Sequence, residues 1–355
     1  MDLHEVDTPF TVIDHDRLVT NLERHHTRTQ QQGVASRPHA KTHKIPELAR
    51  LQMDHGARGG TLATLGEAEV FVDAGILDIF LAYPLWLTPN KARRLAALSP
   101  KATIAMGVDS VAGINQAALG LGRTSVEFMI EVDSGHHRSG IDPHDVVSLA
   151  EALAKHDLAF RGVFTYPGHS YDPHKKDSAS VDEVEALTVA TTALESAGYA
   201  VTERSGGSTP SLHSTQSFLT ETRAGVYALG DAQQLELGTM TMDDLALSVV
   251  TTVVSARSHT VVVDAGSKIM GADKAPWASG HGRVLGHPDA RLTAMSEHHA
   301  TVVFPEDSAP VVCGDLLRVI PNHVCNAVNL VDSLAVAKGS TITTWWKVAA
   351  RGKNS

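Results

Sequence analysis

Three short stretches of the chain carry residue types and spacings that could do chemistry. Lys41 stands in Arg37-Pro38-His39-Ala40-Lys41-Thr42-His43-Lys44, where a short extended run ends. A lysine among cationic and partly desolvated neighbours loses its proton more readily, as imine formation with an aldehyde cofactor requires. A surface lysine beside a helix start is the plainer alternative. Ser205-Gly206-Gly207-Ser208-Thr209-Pro210-Ser211 is a small, hydroxyl-rich turn after the strand-like YAVTERS. Glycines let backbone amides approach a phosphate, and Ser and Thr hydroxyls can hold the dianion, although many such stretches are turns and nothing more. Gly225 and Tyr227 in RAGVYALGD follow at another strand end and could close the same pocket.

His323 and Cys325, in IPNHVCNAVNL, form the third group. On a strand, positions two apart face one side, so imidazole and thiolate can converge on a single ion. Nitrogen plus sulfur favours Zn²⁺ over Mg²⁺ or Ca²⁺, and two protein ligands leave positions open for water and substrate. A buried cysteine next to a turn histidine is the alternative. Arg138 in EVDSGHHRSG follows an apolar strand, where a guanidinium could meet a phenolate or carboxylate. Tyr166, His169 and Tyr171 in FTYPGHSY follow the next strand, as site residues or as packing. Cys313 has no such partner and is expected in the core; His25 and His26, on a polar helical pattern, are expected to be solvated.

These residues need a scaffold that brings loop ends together. From FTVID onward, short aliphatic runs alternate with longer amphipathic ones at least seven times, through DIFLAYPL, TIAMGVDS, VEFMIEVDSG and FRGVFTYPGH. Strands alternating with helices of about ten residues or more imply parallel pairing by right-handed crossovers. The length of the series, with no G-x-G-x-x-G turn after the first strand, favours a TIM-type (β/α) barrel over an open doubly wound sheet. After about Met242 the pattern changes to strand-like segments such as LALSVVTTVVSAR, HTVVVDAG and STITTWWKVAAR, separated by Gly, Pro, Asp and Ser turns. The expected fold is therefore α/β, a parallel barrel over residues 10–240 and a second, C-terminal all-β domain over 241–355.

Composition narrows the function. The 355 residues carry 40 acidic against 30 basic side chains, a formal net charge of −10, which disfavours a phosphate-backbone binder. No apolar run approaches the about 20 residues that span a bilayer. The start, MDLHEVDTPF, lacks the basic and apolar regions of an export signal, and two cysteines are too few for a disulfide framework. A cytoplasmic protein with no nucleic-acid or membrane partner is expected.

Taken in order, RPHAKTHK, EVDSGHHRSG, SGGSTPS, RAGVYALGDAQQ and PNHVC resemble the metal-activated fold-type III pyridoxal-phosphate enzymes, a group with D-serine dehydratases, D-threonine aldolases and D-threo-3-hydroxyaspartate dehydratases. The resemblance covers nearly the whole chain. It implies an alanine-racemase-like barrel carrying pyridoxal 5'-phosphate, with Lys41 as the Schiff-base lysine, and a β-domain to which residues 1–9 also belong. It further implies cofactor contacts from Arg138, Tyr166, Ser205, Gly206, Gly207, Ser208, Thr209, Gly225 and Tyr227, and a metal on His323 and Cys325: Zn²⁺, or Mn²⁺ or another divalent ion. A homodimer acting on a small D-amino acid is implied as well. Cys325 and the DAQQ after Tyr227 resemble the D-serine dehydratase branch, whereas D-threonine aldolases often show Asp at the Cys325 position. Elimination to a 2-keto acid and ammonia is the leading expectation. Retro-aldol cleavage to glycine and an aldehyde, or dehydration of D-threo-3-hydroxyaspartate, are the alternatives, ahead of a racemase or a non-catalytic cofactor carrier.

Overall fold

A computed structural model of the protein describes residues 1–122, 124–214 and 218–355. The chain forms two compact units. One gathers Met1–His25, Thr42–Glu47 and Val226–Gly352; the other gathers His26–Lys41, Leu48–Gly225 and Lys353–Ser355. In chain order the strands are β1 (Phe10–Asp14), β2 (Ala35–Ser36), β3 (Gly60–Leu62), β4 (Asp78–Pro84), β5 (Thr103–Val108), β6 (Glu127–Glu131), β7 (Ala159–Phe164), β8 (Glu203–Gly206) and β9 (Glu221–Thr222). They continue as β10 (Leu247–Arg257), β11 (Thr260–Val263), β12 (Gly282–Val284), β13 (Arg291–Met295), β14 (Ala300–Val303), β15 (Leu316–Pro321), β16 (Ser333–Lys338) and β17 (Thr341–Lys347).

The second unit is the expected parallel barrel. Its eight strands run in the order β2-β9-β8-β7-β6-β5-β4-β3, and an isolated parallel bridge between His39 and Thr61 joins the two end strands. The crossover helices start where the sequence supplies caps. Thr64 accepts from the Glu67 amide before Leu65–Asp73, Thr88 precedes Pro89–Leu98 with proline at its first position, and Ser110 caps Val111–Leu121. Inside the barrel, Phe80, Ala82, Ala105, Met129 and Phe164 form a packed layer, with the Phe80 and Phe164 rings edge to face at 4.9 Å.

Strands β2 and β9 contribute two residues each, too short for ladder hydrogen bonds alone to fix their register. Buried charge does the rest. Arg37, fully buried, donates from Nε to Glu221 Oε2 at 2.7 Å and from its two terminal nitrogens to both Asp78 carboxylate oxygens at 2.7 and 3.1 Å. Burial opposes the guanidinium charge, but Glu221 and Asp78 outweigh it and hold the group above its ordinary pKa. The Ser205 hydroxyl donates to Glu221 Oε1 at 2.7 Å and accepts from Arg223 Nε at 2.9 Å, extending the network from the residue after β2 through β9 and β8 to the residue after β9.

The first unit is a nine-stranded mixed sheet in the order β13-β14-β11-β10-β1-β16-β17, with β15 pairing β10 and β12. Here the structure corrects the reading of FTVID as the opening strand of the alternation. β1 pairs antiparallel with β10 and parallel with β16, and four of its five residues are buried. A buried strand reads as apolar whichever sheet receives it. His25 is also corrected: it is buried, because Leu18, Leu22 and His25 fall at i, i+4 and i+7 on one face of the helix His15–Gln32, and its ring lies 3.9 Å from that of Tyr227. Cys313 is exposed rather than in the core, in a turn with Gly314 at φ +94° ahead of β15.

Replacing Arg37 with Ala leaves Glu221 buried without its cation, at an expected cost of about 3–5 kcal/mol. Urea unfolding of the variant followed by circular dichroism checks this; an unfolding free energy within about 1 kcal/mol of wild type would show that the seam does not depend on the pair.

Candidate active site

The parallel strands end around a cavity of about 520 Å³. Apart from Ala82, inside β4, every residue that lines it follows or ends a strand: His39 and Lys41 after β2, Thr64 after β3, Tyr83 and Pro84 at the end of β4, Asp109 after β5, Arg138 and Ser139 after β6, Tyr166 after β7 and Arg223 after β9. This is the end of a barrel at which loops can vary while the scaffold stays fixed.

Lys41 sits in the single turn Ala40–Thr42, its Nζ 5.7 Å from the centre of the Tyr166 ring. The guanidinium of Arg138, an exposed residue, lies 4.8 Å from the same ring, and His136 meets it edge on at 5.4 Å. Arg223 is buried. It stacks over Phe80 and Phe164 at 5.6 and 5.3 Å and donates to Ser205 Oγ and to the Thr165 carbonyl. Burial, then the charges of Lys41 and Arg223, hold His39 well below the usual imidazole pKa, so it is neutral among three cations. Its Nδ1 is buried without a hydrogen-bond partner. The mouth of the barrel is thus a cationic pocket suited to an anionic, planar ligand.

The Ser205–Ser211 stretch begins in the last two residues of β8 and continues beyond it. The Ser205 hydroxyl is committed to Glu221 and Arg223, as described, while the Gly206 carbonyl accepts from the Arg223 amide at 2.8 Å and so ties the turn to the cavity wall. Ser208 and Ser211 hydroxyls bond each other at 3.0 Å, and Ser208 also meets Ser170 at 2.8 Å; Ser208 and Thr209 are both buried. Gly207 adopts φ +81°, and a Cβ there would lie 2.2 Å from Thr222 Oγ1, itself buried with no hydrogen-bond partner. A lysine at the mouth, a cationic wall, a turn of two glycines and an orphaned hydroxyl beneath it together fit a pyridoxal phosphate. Gly225 is partly buried next along the chain.

In the first unit, Tyr227 packs on His25 as described. The His323–Cys325 pair differs from expectation in its setting. Pro321 ends β15, and His323 is the N-cap of the helix Val324–Asn329 rather than a strand residue. The cap residue keeps an extended backbone (φ −130°, ψ 106°), and the two side chains stay close enough for charge on Cys325 to act on the imidazole. Asp231 lies behind them, fully buried: its carboxylate accepts from the Gln234 amide at 2.9 Å and the Val324 amide at 3.2 Å, with His323 Nδ1 at 3.5 Å. The Cys325 sulfur and the Thr42 hydroxyl are 3.4 Å apart. Charge on Cys325 raises the His323 pKa well above its usual value against the effect of burial, and Asp231 adds to the rise. Among the described residues no group of three or more His, Cys, Asp or Glu side chains forms a ready metal cage. An imidazole and a thiol held on one side, with a carboxylate behind the imidazole, fit a metal site that keeps positions open.

Sequence reasoning passed over His39, Asp109, Arg223 and Asp231. His39 is two residues before the lysine already singled out, and Arg223 opens the RAGVY motif, so position alone offered a signal for both. For Asp231 the signal was its place in DAQQ, but not the partner 92 residues later.

The depressed His39 pKa has a stability consequence of definite sign. As pH falls below about 6.5 the unfolded imidazole takes a proton that the folded one refuses, so stability drops toward acid by up to about 1.4 kcal/mol per pH unit. The difference in unfolding free energy between wild type and His39→Gln, measured by urea unfolding from pH 7.5 to 5.5, should show this slope; a difference independent of pH would contradict it.

Comparison with known proteins agrees with this arrangement. The family model for the alanine racemase N-terminal domain matches residues 13–233, and that for a serine dehydratase domain matches residues 246–337. The D-threo-3-hydroxyaspartate dehydratase of Delftia sp. (strain HT23) is 33% identical, over 96% of this chain and 97% of its own. A structure of a D-threo-3-hydroxyaspartate dehydratase, a cysteine-to-alanine variant in the metal-free form, superposes with a TM-score of 0.90 at 30% identity over 98% of each chain. The D-threonine aldolase of an Arthrobacter species is 33% identical, over 99% of this chain and 94% of its own. The solved D-threonine aldolase of Filomicrobium marinum has a TM-score of 0.91 at 28% identity, covering 99% of this chain and 98% of that one. The chain therefore belongs to the D-threonine aldolase and D-threo-3-hydroxyaspartate dehydratase family, in which an alanine racemase N-terminal domain precedes a serine dehydratase domain.

Proposed function

We propose that the protein is a lyase dependent on pyridoxal 5'-phosphate and a divalent metal, acting on D-β-hydroxy-α-amino acids by elimination to a 2-keto acid and ammonia, as D-serine dehydratases do. The observation that carries the reading is the barrel-mouth cavity, which gathers Lys41, Arg138 and Arg223 beside Tyr166. The dehydratase and aldolase relatives, by their names, act on D-amino acids with a β-hydroxyl, and the metal-free cysteine variant of the dehydratase supports a cysteine such as Cys325 as a ligand.

When bound, the pyridoxal ring supplies an electron sink for charge at Cα, and the divalent ion supplies a Lewis acid for the β-oxygen. Lys41 Nζ would carry the cofactor until a substrate amine displaces it, and would then take the Cα proton. Arg138, Tyr166 and Arg223 would hold the ring and its oxygen, and the Ser205–Thr209 turn with Gly225 and Tyr227 the phosphate. His39, kept neutral, adds no charge to compete for these anionic groups. His323 and Cys325 would hold the ion, with Asp231 fixing the imidazole from behind; the nitrogen and sulfur donors suit Zn²⁺ best.

A retro-aldol cleavage is the second reading, since the D-threonine aldolase relative is as similar as the dehydratase. Supplying D-serine, D-threonine and D-threo-3-hydroxyaspartate separately to the purified protein distinguishes the two. Keto acid and ammonia are expected, with turnover lost on chelation and in Cys325→Ala while the cofactor absorbance remains. Glycine with an aldehyde would establish the aldolase instead, and turnover indifferent to chelators would remove the metal.

A further inference from the structure

One buried carboxyl in the barrel unit has no part in the chemistry above. Glu183, on the helix Lys176–Ser196, is buried, and its Oε1 accepts from the Gly207 amide at 2.6 Å. It also presses on the neighbouring residue: a Cβ on Gly206 would lie 2.2 Å from the same oxygen. The turn is thus held from two sides, by Glu183 against Gly206 and the Gly207 amide, and by Thr222 against the Gly207 Cα.

We infer that Glu183 is a positioning residue for the cofactor phosphate, one that shapes the Gly206–Gly207 turn by accepting the Gly207 hydrogen bond rather than by contributing charge. The inference rests on the pyridoxal-phosphate reading and extends it to a residue outside the cavity. The Gly207 N–H is engaged by Glu183, so that amide orients the turn and leaves the dianion to other groups of the turn. A full negative charge touching a phosphate-binding turn would repel the ligand, whereas a neutral carboxyl accepts the same hydrogen bond without that cost. Burial pushes this carboxyl up to about 7, against the Gly207 hydrogen bond and the charge of Arg223, so the neutral form is accessible near neutral pH.

The test compares pyridoxal 5'-phosphate with pyridoxal, which lacks the phosphate, in absorbance titrations of the full-length protein stripped of cofactor. Wild type should prefer the phosphorylated form. Glu183→Gln keeps an acceptor without charge and should hold that preference within about threefold. Glu183→Leu should lower it at least tenfold with little change for pyridoxal. If the leucine variant does not fold, Glu183→Asp, one methylene short of the Gly207 amide, serves in its place with the same expectation. A ratio unchanged in the leucine or aspartate variant, or lowered as much by glutamine as by leucine, would overturn the inference. Absence of any preference in wild type would instead overturn the phosphate assignment itself, whatever the variants do.

Discussion

The seam of the barrel depends on a buried run of charge and hydroxyl. Arg37 reaches Glu221 and Asp78, Glu221 takes the Ser205 hydroxyl, and Ser205 takes Arg223. Two of the strands so joined are two residues long, and these lead into Lys41 and Arg223, the groups on which the proposed chemistry turns. Removing charges from water is expensive, and a buried ion pair returns that cost only where geometry and further hydrogen bonds are good. Here Arg37 has two carboxylate partners, and Arg223 has a hydroxyl and a carbonyl. The network therefore acts mainly as a constraint on register, placing strand ends that the ladder could not place alone.

The same logic sets the electrostatics of the cavity. Burial lowers the pKa of Arg223, and the charges of Glu221, Glu183 and Glu131 oppose this, while aromatic rings, a hydroxyl and a carbonyl take the place of its water. The charge of Arg223, with Lys41, keeps His39 neutral, so an imidazole beside the lysine becomes a hydrogen-bonding group rather than a fourth cation. On the far side of the glycine turn, burial gives Glu183 access to its neutral form. Three cations thus face one carboxylate, Asp109, across the cavity lining, and the pocket is positive where an anionic ligand would lie.

Much of this was legible in the chain. The alternation of short apolar runs with capped helices pointed to the parallel barrel, and the residues after strands pointed to its mouth, where Lys41, Arg138 and Tyr166 are found. Most of the failures share a cause: they concern partners distant in sequence. The FTVID run says that a strand is buried, not that its neighbours are β10 and β16. Spacing brought His323 and Cys325 together by a strand argument, whereas the backbone does so at a helix N-cap after Pro321, braced by Asp231. Gly206 and Gly207 read as room for a phosphate; the atoms that exclude a side chain there belong to Glu183 and Thr222, which no local pattern connects to them. His25 failed for a simpler reason, since the aliphatic stripe of its helix was outvoted by polar neighbours.

The central claim is that Lys41 carries the cofactor. Borohydride reduction of the holoenzyme followed by peptide mapping tests it most directly, because it fixes the pyridoxyl group to whichever amine holds it. The account predicts a single labelled lysine, Lys41. Label on the neighbouring buried Lys44, or on no lysine, would contradict it.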